Sequence, residues 1–229
     1  METSETDPTA YEYIRQNNHK FDYVLTFDKS LLDRNENFVL NLFGTTWMND
    51  EYIKLWEKTK LCSFILSNKK YTSGHKLRHI IYNEIKSRQL LNEMIDIYGI
   101  EKKINFTNTK PYSLEHTSSH KSNDKIKALN HYMFSVCIEN TKQDFMFTEK
   151  LIDCFLTGTV PIYYGCPSIG NFFNINGIIV INDVIECLDV VSNKISVDVY
   201  NSMKPYICEN FNKALSYKEY YINLEAVLM

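Results

Sequence analysis

Apolar residues in this chain fall into short runs divided by polar and amphipathic stretches, the rhythm of strands alternating with helices. Residues 61–66 (LCSFIL) form one continuous apolar run, closed by Ser67-Asn68, and residues 132–138 (YMFSVCI) form another, closed by Glu139-Asn140. Residues 94–99 and 177–181 predict further strands, and residues 21–27 and 38–43 are shorter runs of the same kind. Between them, residues 76–91 carry Leu77, Ile80, Ile81 and Ile85 at helical spacing. Shorter helices are predicted at 10–18, 30–34, 124–129 and 184–191, and a closing one at 217–228. Residues 51–60 carry a mixed pattern that supports no assignment, and the polar stretch 102–122 predicts a surface excursion.

This alternation predicts an α/β fold, a Rossmann-like, mostly parallel sheet with helices on both faces. The densest unit is residues 132–165, which run strand, polar loop, helix, strand. Thr148 is a natural N-cap and Gly158 a natural C-cap, and Leu151, Ile152, Phe155 and Leu156 give the intervening helix a buried side. Such a unit places its functional groups where the strand ends and the helix begins, and there free N–H groups and the helix dipole attract phosphate.

Composition narrows the chemistry. With 44% apolar residues the chain can build a core, and a net charge of -3 with mixed signs supplies no basic surface for nucleic acid. Six scattered cysteines without a C-x-x-C pair read as reduced thiols, and the polar start METSETDPTA does not resemble a signal peptide. No apolar run approaches the ~18 residues of a membrane span. These features together predict a cytoplasmic protein, and the sequon at Asn105 reads as chance.

Three groups carry candidate chemistry, all at carboxyl ends of predicted strands. The first is Ser67-Asn68 with Arg78 on the following helix; a guanidinium fork suits a diphosphate, although an arginine on an amphipathic helix is ordinarily solvated. His75 and His79 stand at metal-pair spacing but lack an acidic third ligand, so surface histidines and no metal are expected. The second group is Glu139-Asn140. The third is Thr148-Glu149-Lys150, whose lysine sits in the first helical turn, where the dipole prefers an anion. A phosphate lying between that cation and the dipole would reconcile the two.

These residues resemble the α-1,3-fucosyltransferase family of inverting glycosyltransferases. Agreement is tightest at Tyr132-x-Phe134, Glu139-Asn140, Thr148-Glu149-Lys150-Leu151, the GTVPI segment 158–162 and Gly165, and weaker from residue 21 to Asn182. The resemblance implies a GT-B protein, with residues 59–229 as the nucleotide-sugar-binding domain and 1–58 as the remnant of a preceding domain. It implies that Arg78 and Lys150 hold the diphosphate of a GDP-sugar such as GDP-fucose, without a metal or other cofactor. Glu149 would take the ribose hydroxyls; Ser67, Asn68, Asn140, Phe147 and Thr148 would complete the nucleotide site. Glu139 would steady charge at the anomeric carbon. The implied reaction moves fucose or a related sugar to a glycan hydroxyl with inversion.

Two departures stand out. Met146 occupies a position where the family usually has tyrosine, and the acidic general base belongs to an acceptor domain that is largely absent from these residues. A catalytically silent nucleotide-sugar-binding module, or one half of a split transferase completed by a second copy or a partner chain, therefore stays open beside the active enzyme.

Overall fold

The computed structural model describes residues 7–34, 36–100, 110–112 and 125–218. An amino-terminal segment carries α1 (Pro8–Asn17), β1 (Val24–Thr26), α2 (Lys29–Leu32) and β2 (Phe38–Leu40). Its two strands pair in parallel over a small core of Val24, Leu31 and Phe38. β1 is shorter than the apolar run predicts: Phe21 and Tyr23 precede it and are 43% and 62% exposed.

The main unit contains β3 (Lys60–Leu66), α3 (Ser73–Ser87), α4 (Gln89–Met94), β4 (Ile95–Ile100), β5 (Lys110–Tyr112), β6 (Tyr132–Ile138), α5 (Glu149–Leu156), β7 (Val160–Tyr164), β8 (Ile179–Val180), α6 (Val184–Asp189) and α7 (Val197–Leu215). All its strands run parallel in the order β5-β4-β3-β6-β7-β8. The chain winds outward from β3 in one direction and from β6 in the other. Neighbouring strands β3 and β6, in register at Cys62–Phe134 and Phe64–Val136, thus flank the switch point where a doubly wound sheet opens its ligand crevice.

The two sheet faces carry separate cores. Phe64, Phe134, Val136 and Ile162 pack under α3, α6 and α7 through Ile81, Leu188 and Met203. Cys137 and Tyr163 pack on the other side with α5 and the Phe173 region. All seven residues of β6 are buried, as expected for a central strand covered on both faces.

Several expectations need correction. The helix predicted at 76–91 starts earlier, behind a Thr72 N-cap, and breaks at Arg88, whose backbone is extended (φ -119°, ψ 106°). Residues 125–128 form a 3-10 turn, α6 ends at Asp189 and passes into a π turn over Val190–Lys194, and the strand predicted at 177–181 shrinks to two residues. The 19-residue α7 is unanticipated. The polar excursion at 102–122, except for β5, and the closing helix beyond residue 218 lie outside the described residues. Five cysteines are buried thiols, and Cys208 is exposed. Among the described residues no helix is long and apolar enough to cross a membrane.

Candidate functional site

Thr148 begins α5 as its N-cap, with Oγ1 accepting the Lys150 amide at 3.4 Å. Gly158 leaves the helix at φ +72°, a left-handed conformation that glycine adopts without a Cβ penalty. Leu151, Ile152, Phe155 and Leu156 are all essentially inaccessible, so the helix is pinned to the sheet by its apolar side.

Beneath that helix start lies Glu139, wholly buried at the end of β6. Its Oε1 accepts the Thr148 amide at 2.8 Å and its Oε2 accepts the Thr148 hydroxyl at 2.8 Å. The Lys150 ammonium stands 3.6 Å from the same carboxylate. Glu139 thus ties the start of α5 to the end of β6.

The first turn of α3 rests directly on the other side of this strand end. Gly74 donates its amide to the Asn140 carbonyl at 2.8 Å, and a Cβ built at Gly74 would stand 1.8 Å from the Glu139 carbonyl oxygen. Only glycine permits this approach. One turn later Arg78 donates from Nε to the Ile138 carbonyl at 3.1 Å and from Nη2 to Asn140 Oδ1 at 2.9 Å; Nη2 also reaches the Ile138 carbonyl. Arg78 is 5% exposed rather than solvated. Burial pulls the guanidinium below its usual pKa, and Glu139 and Glu149 oppose that shift.

His75, expected at the surface, is also buried at 6% exposure. It occupies the third helical position and closes a capping box with Thr72: the Thr72 amide donates to Nδ1 at 3.3 Å, and the Thr72 hydroxyl lies 2.6 Å from the same atom. Burial and the nearby charges of Arg78, Lys69 and Lys150 hold its pKa down at about 4, so the ring is neutral at pH 7. His79 is half-buried, with Nε2 3.1 Å from the Lys69 carbonyl oxygen. Among the described residues no three His, Cys, Asp or Glu side chains gather to hold a metal.

Glu149 follows Thr148. Burial works against its ionisation, but the charges of Lys150 and Lys125 prevail and hold its pKa at about 2. Lys150 Nζ contacts Glu149 Oε1 at 3.1 Å and the Thr148 hydroxyl at 3.0 Å. Lys125 binds Asp153 Oδ2 at 2.5 Å and the Glu149 carbonyl at 3.3 Å, and Asp153 also accepts the Thr46 hydroxyl at 2.6 Å. Asp153 is wholly buried, and burial raises its pKa against the pull of Lys125 and Thr46.

Ser67 and Asn68 are half-buried just past the end of β3, beside the β6 terminus. Phe147 does not join the cleft. It is fully buried among Phe172, Phe173 and Tyr217, with ring centroids 5.2, 5.5 and 5.3 Å away. Met146 is buried and accepts the Thr141 hydroxyl on its sulfur. Sequence reasoning missed Lys125, Asp153 and Thr46. The available signal was Asp153 itself, a carboxylate set between Ile152 and Cys154 on the helix's buried stripe, which demands a buried partner. A separate cavity of about 690 Å³ opens on the amino-terminal segment, lined by Glu12, Arg15, Gln16, Ser30 and Arg34, and shares no residue with this cluster.

Residues 55–188, more than half of the chain, match the family described as "Glycosyltransferase family 10 (fucosyltransferase) C-term". The chain belongs to glycosyltransferase family 10. It is 35% identical over 71 residues to an α-(1,3)-fucosyltransferase of Helicobacter pylori, a match covering 31% of this chain and 15% of that protein. It is 39% identical over 59 residues to an α-(1,4)-fucosyltransferase of Arabidopsis thaliana, covering 25% of this chain and 15% of the relative. The matched stretch is thus a small part of each relative's length. A solved α1,3-fucosyltransferase with GDP superposes with a TM-score of 0.52 at 21% identity, covering 90% of this chain and 70% of that one. That likeness supports the family 10 fold, the doubly wound sheet that brings the cluster together.

Proposed function

We propose that the cluster at the carboxyl ends of β3 and β6 binds a GDP-sugar, and that the chain serves the transfer of fucose or a related sugar to a glycan hydroxyl. The observation that carries this reading is the convergence of Arg78 and Lys150 on one strand terminus. Two helices begin there as well, so fixed cations and helix N-termini face one place, the arrangement that binds phosphate. Glu149, anionic well below neutral pH, is suited to accept hydrogen bonds from ribose hydroxyls. Asn140 completes the floor through Arg78.

In this mechanism GDP leaves as the acceptor oxygen attacks the anomeric carbon from the opposite face, with inversion. Charge accumulates on the departing phosphate, and preorganised donors stabilise it without reorganising; metal-free departure rests on Arg78 and Lys150. A general base takes the acceptor proton. Within a GT-B architecture, residues 59–229 form the donor-binding unit and residues 1–58 the end of the preceding one. Glu139 keeps a structural share in this scheme, fixing the helix that carries Glu149 and Lys150.

Calorimetric titration with GDP and GDP-fucose tests the reading; absence of binding to either sinks it. Lys150→Ala should weaken GDP binding by about tenfold or more, some 1.4 kcal/mol. An unchanged affinity would refute the phosphate role. GDP release from GDP-fucose with a β-galactoside or N-acetylglucosamine acceptor separates the enzyme from a binding module that requires a second chain.

A further inference from the structure

Among the described residues His75 is the one buried imidazole in the first turn of a helix that abuts the cleft, and its geometry is tightly defined. A backbone N–H can only donate, so the 3.3 Å contact from the Thr72 amide makes Nδ1 an acceptor. The neutral ring then carries its proton on Nε2. The Thr72 hydroxyl, 2.6 Å from Nδ1 and itself accepting the His75 amide at 3.4 Å, locks the same orientation. Nε2 lies across the ring from Thr72, and among the described residues it has no hydrogen-bond partner. A donor in a side chain only 6% exposed normally has one. The preceding residue, Gly74, packs on the Glu139 and Asn140 carbonyls, so the imidazole stands beside the strand terminus that Arg78 grips.

We propose that His75 donates its Nε2–H to the phosphates of the nucleotide, as an uncharged third donor beside Arg78 and Lys150. This rests on the reading of the cleft as a diphosphate site. The histidine replaces the glutamate or glutamine usual at the third position of a capping box. That exchange has a physical reason here. Glutamate would cap equally well but would set a carboxylate against the phosphate, whereas the imidazole caps with one nitrogen and offers an N–H with the other. Burial first, and then the neighbouring charges of Arg78, Lys69, Lys150 and His79, keep the ring neutral, so it adds a directed hydrogen bond and no further cation.

The test compares this chain with its His75→Gln and His75→Glu variants, titrated with GDP and with guanosine. Both variants retain a capping side chain, so both should melt within about 2 °C of the parent. Gln keeps an N–H donor and should hold GDP within about threefold, whereas Glu should lose at least about tenfold, with guanosine binding unaltered. A Glu variant that binds GDP as the parent does overturns the proposal. If the Glu variant fails to fold, ¹⁵N-histidine NMR on the unaltered chain decides: the His75 Nε2 signal should move with GDP and stay with guanosine. A signal indifferent to GDP overturns the assignment. Failure of the parent to bind GDP would instead remove the donor-site reading, and Lys150→Ala, measured in parallel, tells the two failures apart.

Discussion

Replacing Glu139 by Gln separates a residue that works on the sugar from one that holds the site together. The carboxylate accepts two hydrogen bonds from Thr148, both 2.8 Å, and faces the Lys150 ammonium at 3.6 Å, all at zero exposure. A carboxamide of the same size offers one acceptor and one donor. Either the Thr148 amide or its hydroxyl must then lose its partner, and Lys150 loses a counter-charge. A hydrogen bond to a charged group is worth about 1.5–3 kcal/mol, and a buried donor left unpaired costs about 1–3 kcal/mol. Removing a buried charge returns part of its desolvation cost, so the net loss should be about 2 kcal/mol. For a chain of this size that lowers the melting temperature by about 4–8 °C. Because Thr148 begins the helix carrying Glu149 and Lys150, GDP affinity should fall together with stability. Differential scanning calorimetry and GDP titration of the same preparation measure both quantities. A variant with parental melting temperature and GDP affinity but reduced turnover would refute the positioning role and restore Glu139 to the sugar.

Two further outcomes follow from the same cluster. The folded-state pKa of Glu149, about 2 against an ordinary 4.5, means that its contribution is complete above about pH 4.5 and is lost as pH falls toward 2, on the order of 3 kcal/mol. Urea midpoints measured from pH 6 to 2.5 should therefore converge for the parent and Glu149→Gln at the acid end, and a constant gap across that range would disprove the linkage. Gly74→Ala forces a methyl to within 1.8 Å of the Glu139 carbonyl and should cost about 1–3 kcal/mol together with GDP affinity. Gly170→Ala, where a Cβ meets nothing within 4 Å, serves as the silent comparison, and equal melting curves for the two variants would contradict the close packing of α3 on β6.

The centre of the sheet was legible because its inner strands are covered on both faces and read as uninterrupted apolar runs, which β3 and β6 match closely. The rest was obscured where tertiary packing overrides local signals. In α7 the buried residues Tyr200, Met203, Ile207, Asn210 and Ala214 recur at helical spacing behind a Ser196 N-cap, but Pro205 inside the helix reads as a breaker. The same masking hid the site's supports. Thr148, Glu149 and Lys150 announce themselves as polar residues at a helix start, whereas Lys125 lies 28 positions from Asp153 and no periodicity links them. Phe147 follows a related pattern: next to a functional triplet, an aromatic side chain suggests stacking on a base, while its own side chain packs against Phe172 and the buried Phe173.

The same network bears on how a cluster with balanced charges can attract a diphosphate. Arg78, Lys125 and Lys150 are matched by Glu139, Glu149 and Asp153, so no excess of cations marks the place. Arg78 and Lys125 are buried with the carboxylates, and Lys150 is the outermost of the six charges. The Lys150 side chain is 25% exposed, while Glu139 and Asp153 have none of their side chain exposed and Glu149 has 11%. An arriving phosphate thus meets the ammonium first, and the carboxylates behind it lie farther off. Those carboxylates also hold the ammonium and the helix start in place before any ligand arrives, which removes part of the ordering cost of binding. Deleting Glu139 should on this argument weaken phosphate binding even though it deletes a negative charge, the opposite of what simple repulsion predicts. GDP affinity of Glu139→Gln at low and high salt decides between them: tighter binding at low salt would favour repulsion, and weaker binding at both salts favours preorganisation.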